Sequence, residues 1–79
     1  MIVVLRTHGI SVIIFRDDHE PAHVHVHGNG QGTILLRGID GRPELVWSRG
    51  MSRADQRKVL AAVREAQHEL LEHWRQIHG

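Results

Sequence analysis

Between Ala22 and Gly28, histidine and valine alternate without interruption: His23-Val24-His25-Val26-His27. Strict alternation fits a β-strand, in which successive side chains point to opposite faces, and does not fit the period of a helix. His23, His25 and His27 then share one face and Val24 and Val26 take the other. The stretch from Asp17 to His27 holds four of the eight histidines and three acidic residues, Asp17, Asp18 and Glu20. The rest of the chain reads as a small scaffold for this strand.

Val3 to Arg6 and Ile10 to Phe15 are rich in β-branched residues, and Thr7-His8-Gly9 separates them, which predicts a hairpin. Ser11-Val12-Ile13-Ile14-Phe15 does not alternate, as expected of a strand covered on both faces or touching a partner. Pro21 removes a backbone donor and belongs just before a strand. Gly28-Asn29-Gly30 turns the histidine strand into Thr33-Ile34-Leu35-Leu36, and Gly38 to Pro43 turns that into Glu44-Leu45-Val46-Trp47. Ser52 then reads as a helix N-cap, with Asp55 as its capping-box partner. Val59, Leu60, Val63, Leu70, Leu71, Trp74 and Ile77 follow helical spacing, with Ala66 between, and Arg57, Lys58, Arg64, Glu65, Glu72 and Arg75 occupy the other face. Nothing breaks this pattern before Gly79, so it predicts one helix of about seven turns. The expected fold is a single α+β domain over residues 1–79: a mostly antiparallel sheet of four to five strands with one long C-terminal helix packed on one face.

Composition narrows the function. Seventy-nine residues make one small domain, of a size that gains from a partner or a metal. With no cysteine, thiolate zinc sites, disulfides and cysteine nucleophiles are excluded, as fits a reducing cytoplasm. No apolar run approaches the roughly 20 residues of a membrane span, and the start Met1 to Arg6 lacks the pattern of a signal peptide. A formal charge of +1 does not by itself argue for nucleic acid. The aromatics are Phe15, Trp47 and Trp74, too few for a platform of several stacking rings.

His19-Glu20-Pro21-Ala22-His23-Val24-His25-Val26 resembles the HEPPHVHV signature of a family of small prokaryotic proteins catalogued as domain of unknown function 4160. The apolar hairpin before it, Leu45-Val46-Trp47, and the helical His68-Glu69-Leu70-Leu71-Glu72-His73-Trp74 are similar too. The chain departs from the pattern at Ala22, where a second proline is usual, at His27, where the family varies, and at Arg75, where an acidic residue often stands. The resemblance implies a compact α+β fold with no established activity. It also implies a partner, since such proteins are often encoded beside another small protein in an arrangement like a toxin–antitoxin pair.

Three chemistries fit the residues. The first is a transition-metal site, zinc for example. Histidines at i and i+2 on a strand can reach one ion, so His23 and His25 are the ligand pair, and His19 or Glu20, brought round by Pro21, supplies the third ligand. The second is metal-free acid/base catalysis by His19, His23 and His25 near Arg16 or Arg37. One imidazole would take the proton of a ribose 2′-hydroxyl, another would protonate the leaving oxygen, and an arginine would stabilise the charge between them, as in a ribonuclease-like toxin. The third is binding without catalysis, in which the histidine face, Trp47 and the helix meet a neighbouring gene's protein or a second copy of the chain. The leading expectation is this partner-binding role within a two-protein module, centred on His19, Glu20, His23 and His25 with Arg16 and His27 in support. His8, His68, His73 and His78 read as ordinary histidines, His78 at a fraying end. Asp17-Asp18 reads as a solvated turn, with orientation of a histidine by a carboxylate as the functional alternative.

Overall fold

The computed structural model describes residues 2–79. Five strands, β1 (Ile2–Thr7), β2 (Ile10–Ile14), β3 (His23–His27), β4 (Gln31–Leu35) and β5 (Glu44–Arg49), pair antiparallel in chain order. Two helices follow, α1 (Arg53–Glu65) and α2 (Gln67–His78). This is the expected α+β architecture at the upper strand count, with β3 covering the whole alternating stretch. The β1–β2 turn is tight because His8 and Gly9 both take positive φ, 50° and 74°, the conformation that matches the twist of a two-residue hairpin. At Gly30 a Cβ would come within 2.7 Å of the Gly50 backbone, so glycine lets the β3–β4 turn close against the end of β5.

The valine face of β3 is the core face. Val12, Val24, Val26, Ile14, Ile34 and Leu36 are fully buried there against Val59 and Val63 of α1 and Leu70 and Trp74 of α2. Each such aliphatic side chain contributes about 1.5–3 kcal/mol by leaving water. Leu60, Ala66, Leu71 and Ile77 pack around them, so the apolar stripe predicted by spacing is the stripe that docks. Ser52 caps α1 by accepting from the Asp55 amide at 3.1 Å.

The single long helix is not what forms. The helical run divides at Ala66, whose φ and ψ are −97° and 10°. Hydrogen bonds continue through the joint, from Ala66 N to Ala62 O and from Leu70 N to Ala66 O, so the break is a bend and not a loop. Bonds from outside the helix hold α2 at this joint. The Gln67 side-chain Nε2 donates to Leu36 O at 2.7 Å and Gly41 O at 2.8 Å, pinning the start of α2 to the β4–β5 connection. At the end of α2, His78 is half-buried and stacks on Trp74 with ring centres 3.8 Å apart. Neither helix is long and apolar enough to cross a membrane.

Candidate metal centre

The connection from β2 to β3 turns immediately after Phe15. The Asp18 amide donates to Phe15 O at 3.2 Å, and the Phe15 amide donates back to Asp18 Oδ2 at 3.0 Å. This reciprocal pair fixes the carboxylate. One oxygen is occupied by the backbone, and the other, Oδ1, is aimed at the start of β3. There it lies 3.2 Å from His25 Nε2 and 3.5 Å from His23 Nε2. Ligand atoms of Asp18, His23 and His25 all lie within 4.8 Å of one another. The three side chains are 12%, 17% and 25% exposed, so the cluster is shielded and still reachable from solvent.

The partners fix the protons. The Pro21 carbonyl can only accept, so His23 Nδ1, 2.8 Å away, carries hydrogen and donates. The other nitrogen of a neutral His23 ring therefore turns a lone pair towards Asp18 Oδ1. Two lone pairs facing each other repel, and a proton or a cation between them relieves the repulsion. An ionised Asp18 likewise only accepts, so His25 Nε2 donates to it in the hydrogen bond. Burial on its own would raise the Asp18 pKa. The Phe15 amide, the His25 hydrogen bond and the charges of His25 and His23 together outweigh burial and hold the carboxyl below its usual value of 3.8.

Aromatic groups wall the cluster. Phe15 meets His25 edge-on with ring centres 4.8 Å apart, and Trp74 lies 5.2 Å from His23. Trp74 Nε1 donates to Glu20 Oε1 at 3.2 Å, tying α2 to the residue before Pro21, and the Glu20–Pro21 peptide is cis. A shallow hollow of about 440 Å³ opens beside Asp18 and His23, lined also by Leu35 and Val46.

Of the residues nominated from sequence, His23 and His25 are brought together. Glu20 is engaged by Trp74 and stands outside the group of three. His19 and Arg16 are exposed on the connection, His27 is exposed at the far end of β3, and Arg37 lies across a separate hollow beside Trp74 and His78. The third member is Asp18, for which the orienting role was the alternative to a solvated turn, while Asp17 is exposed.

A family model described as "Domain of unknown function (DUF4160)" matches residues 9–75, most of the chain. The chain belongs to this family. The match spans β2 to most of α2 and so takes in all three clustered residues. Searches of curated proteins and of solved structures return no match.

Proposed function

We propose that the chain is a transition-metal-binding domain that holds one divalent ion through Asp18 Oδ1, His23 Nε2 and His25 Nε2. The observation that carries this reading is the sharing of one carboxylate oxygen by two imidazoles at 3.2 and 3.5 Å. A tetrahedral ion with bonds of about 2.0–2.1 Å has its ligands about 3.3–3.4 Å apart, between these two separations, and the two imidazole nitrogens, within 4.8 Å of each other, would close on the ion as it binds. Two histidines and one carboxylate leave at least one position for water or substrate, the pattern of catalytic zinc and non-haem iron sites. The Pro21 carbonyl supplies the outer hydrogen bond that metal-binding histidines need to fix their tautomer. Glu20, the carboxylate favoured by sequence, acts through Trp74 as a support in this arrangement.

The test is competition of the untagged protein with a chromophoric chelator for Zn²⁺ or Co²⁺. One equivalent should bind, and His23→Ala, His25→Ala and Asp18→Asn should each weaken binding at least about tenfold. Unchanged affinity in the His23→Ala/His25→Ala double variant would remove the assignment.

One observation favours the second reading, partner binding within a two-protein module. Val3, Val46 and Trp47, on the two edge strands, are large apolar side chains left 38%, 52% and 47% exposed, and Val46 and Trp47 adjoin. Under that reading the protein co-purifies with the product of its neighbouring gene, and a monomer that ignores that product argues against it.

A further inference from the structure

Both helices pack on the valine face of the sheet, so no helix covers the histidine face, and the β2–β3 connection shields only its His23 and His25 end. Strand register orders that face into rows. Arg6, Ser11, His27, Gln31 and Arg49 form one row across all five strands. Val3, Ile13, His25, Thr33 and Trp47 form the next. His23, Leu35 and Glu44 begin the third, beside Asp18.

We propose that this face binds single-stranded nucleic acid, with Arg6 and Arg49 holding phosphates and Trp47 stacking on a base. The first row consists entirely of hydrogen-bonding side chains, has a guanidinium at each end and contains no carboxylate. Arg6 and Arg49 are exposed, and neither forms an ion pair among the described residues. They stand on the two edge strands, four interstrand spacings or about 19 Å apart, a span that suits phosphates about three nucleotides apart on an extended strand. Trp47 lies two residues from Arg49 on β5, about 7 Å along the strand, so one nucleotide can meet a ring and a guanidinium together. An exposed indole on an open sheet face needs an unpaired base to stack on, which selects a single strand over a duplex. Asp18 and Glu44 mark the acidic end of the face and confine phosphates to the first two rows.

A protein partner fits this face less well. The middle of a protein interface is apolar, whereas Ser11, His27, Gln31 and Thr33 occupy most of the accessible middle here; Ile13 is buried, Leu35 half-buried, and Val3 and Trp47 stand on the edge strands. The proposal does not rest on a metal at Asp18, since no metal is needed for the two arginines or the indole to bind.

Fluorescence anisotropy tests it, with labelled RNA and DNA oligonucleotides of about a dozen nucleotides, in the presence of EDTA. Saturable binding at low salt is expected, stronger for single strands than for the matching duplex. Arg6→Ala/Arg49→Ala should make the slope of log K against log salt shallower by about 1.4, the value for two single-strand phosphates. Trp47→Ala should weaken binding roughly 5- to 150-fold and Trp47→Phe much less, because a ring that can stack remains. Arg57→Ala/Lys58→Ala on α1 should leave affinity unchanged, and circular dichroism should show every variant folded. Absence of saturable binding, duplex bound as well as single strand, or loss through Arg57 and Lys58 with none through Arg6 and Arg49 would each overturn the proposal. So would a Trp47-dependent dimer, in sedimentation, that excludes the oligonucleotide.

Discussion

Asp18 illustrates how one residue can be assigned two tasks by its two oxygens. Oδ2 closes the turn on the Phe15 amide and Oδ1 gathers two histidines, so replacing the carboxylate separates fold from site. Asp18→Asn keeps the volume and can keep the bond to Phe15, but it loses the charge. The depressed pKa carries a stability consequence whose sign is fixed. A carboxyl held lower in the folded than in the unfolded protein stabilises the fold above its unfolded value, about 3.9. That contribution is lost as pH falls through the folded value, below 3.8. Urea denaturation of metal-free protein should therefore show wild type ahead of Asp18→Asn near neutral pH, with the gap closing below about pH 4. A gap that persisted unchanged into strong acid would contradict the charge-based role. Metal binding should show the opposite sensitivity, tightening as pH rises, because a ligating imidazole nitrogen must first give up its proton.

Among the elements, the strands were the most legible and the helix bend the least. Alternation between Ala22 and Gly28 placed β3 to the residue, since the period of two has no rival over that stretch. The apolar stripe of residues 59 to 77 was equally plain. Its division at Ala66 was not, because no glycine or proline marks it and the bonds that hold it, from Gln67 to Leu36 and Gly41, span 31 and 26 residues. The same holds for the choice of carboxylate. Asp18 and Glu20 flank His19 symmetrically in sequence; only the direction of the Phe15–Asp18 turn and a bond from Trp74, 54 residues away, decide that Asp18 faces the histidines. Gln67→Ala should cost about 1–3 kcal/mol, as two carbonyls lose their donor, with little change in metal affinity. Leu70→Ala, emptying a fully packed position on α2, should cost about 2–5 kcal/mol. Equilibrium denaturation measures both, and a neutral Gln67→Ala would show that something else holds the bend.

For the molecule as a whole, the sheet divides its labour by face. The valine face and two helices supply the core, and the histidine face is left without a helix, with the clustered Asp18, His23 and His25 at one end and Arg6 and Arg49 at the other. An ion that binds only the folded chain must stabilise it by mass action, by about 2.7 kcal/mol at one hundred times the dissociation constant. Zinc should thus raise the unfolding midpoint of wild type and leave His23→Ala/His25→Ala unmoved. Equal gains in both proteins would place the ion elsewhere. The central claim is that one carboxylate and two imidazoles hold a single ion, and X-ray absorption spectroscopy of the zinc-loaded, untagged protein tests it most directly. The expected first shell contains two imidazoles and oxygen at about 2.0–2.1 Å, falling to one imidazole in His25→Ala; a shell of oxygens without imidazole in the wild type would contradict the account.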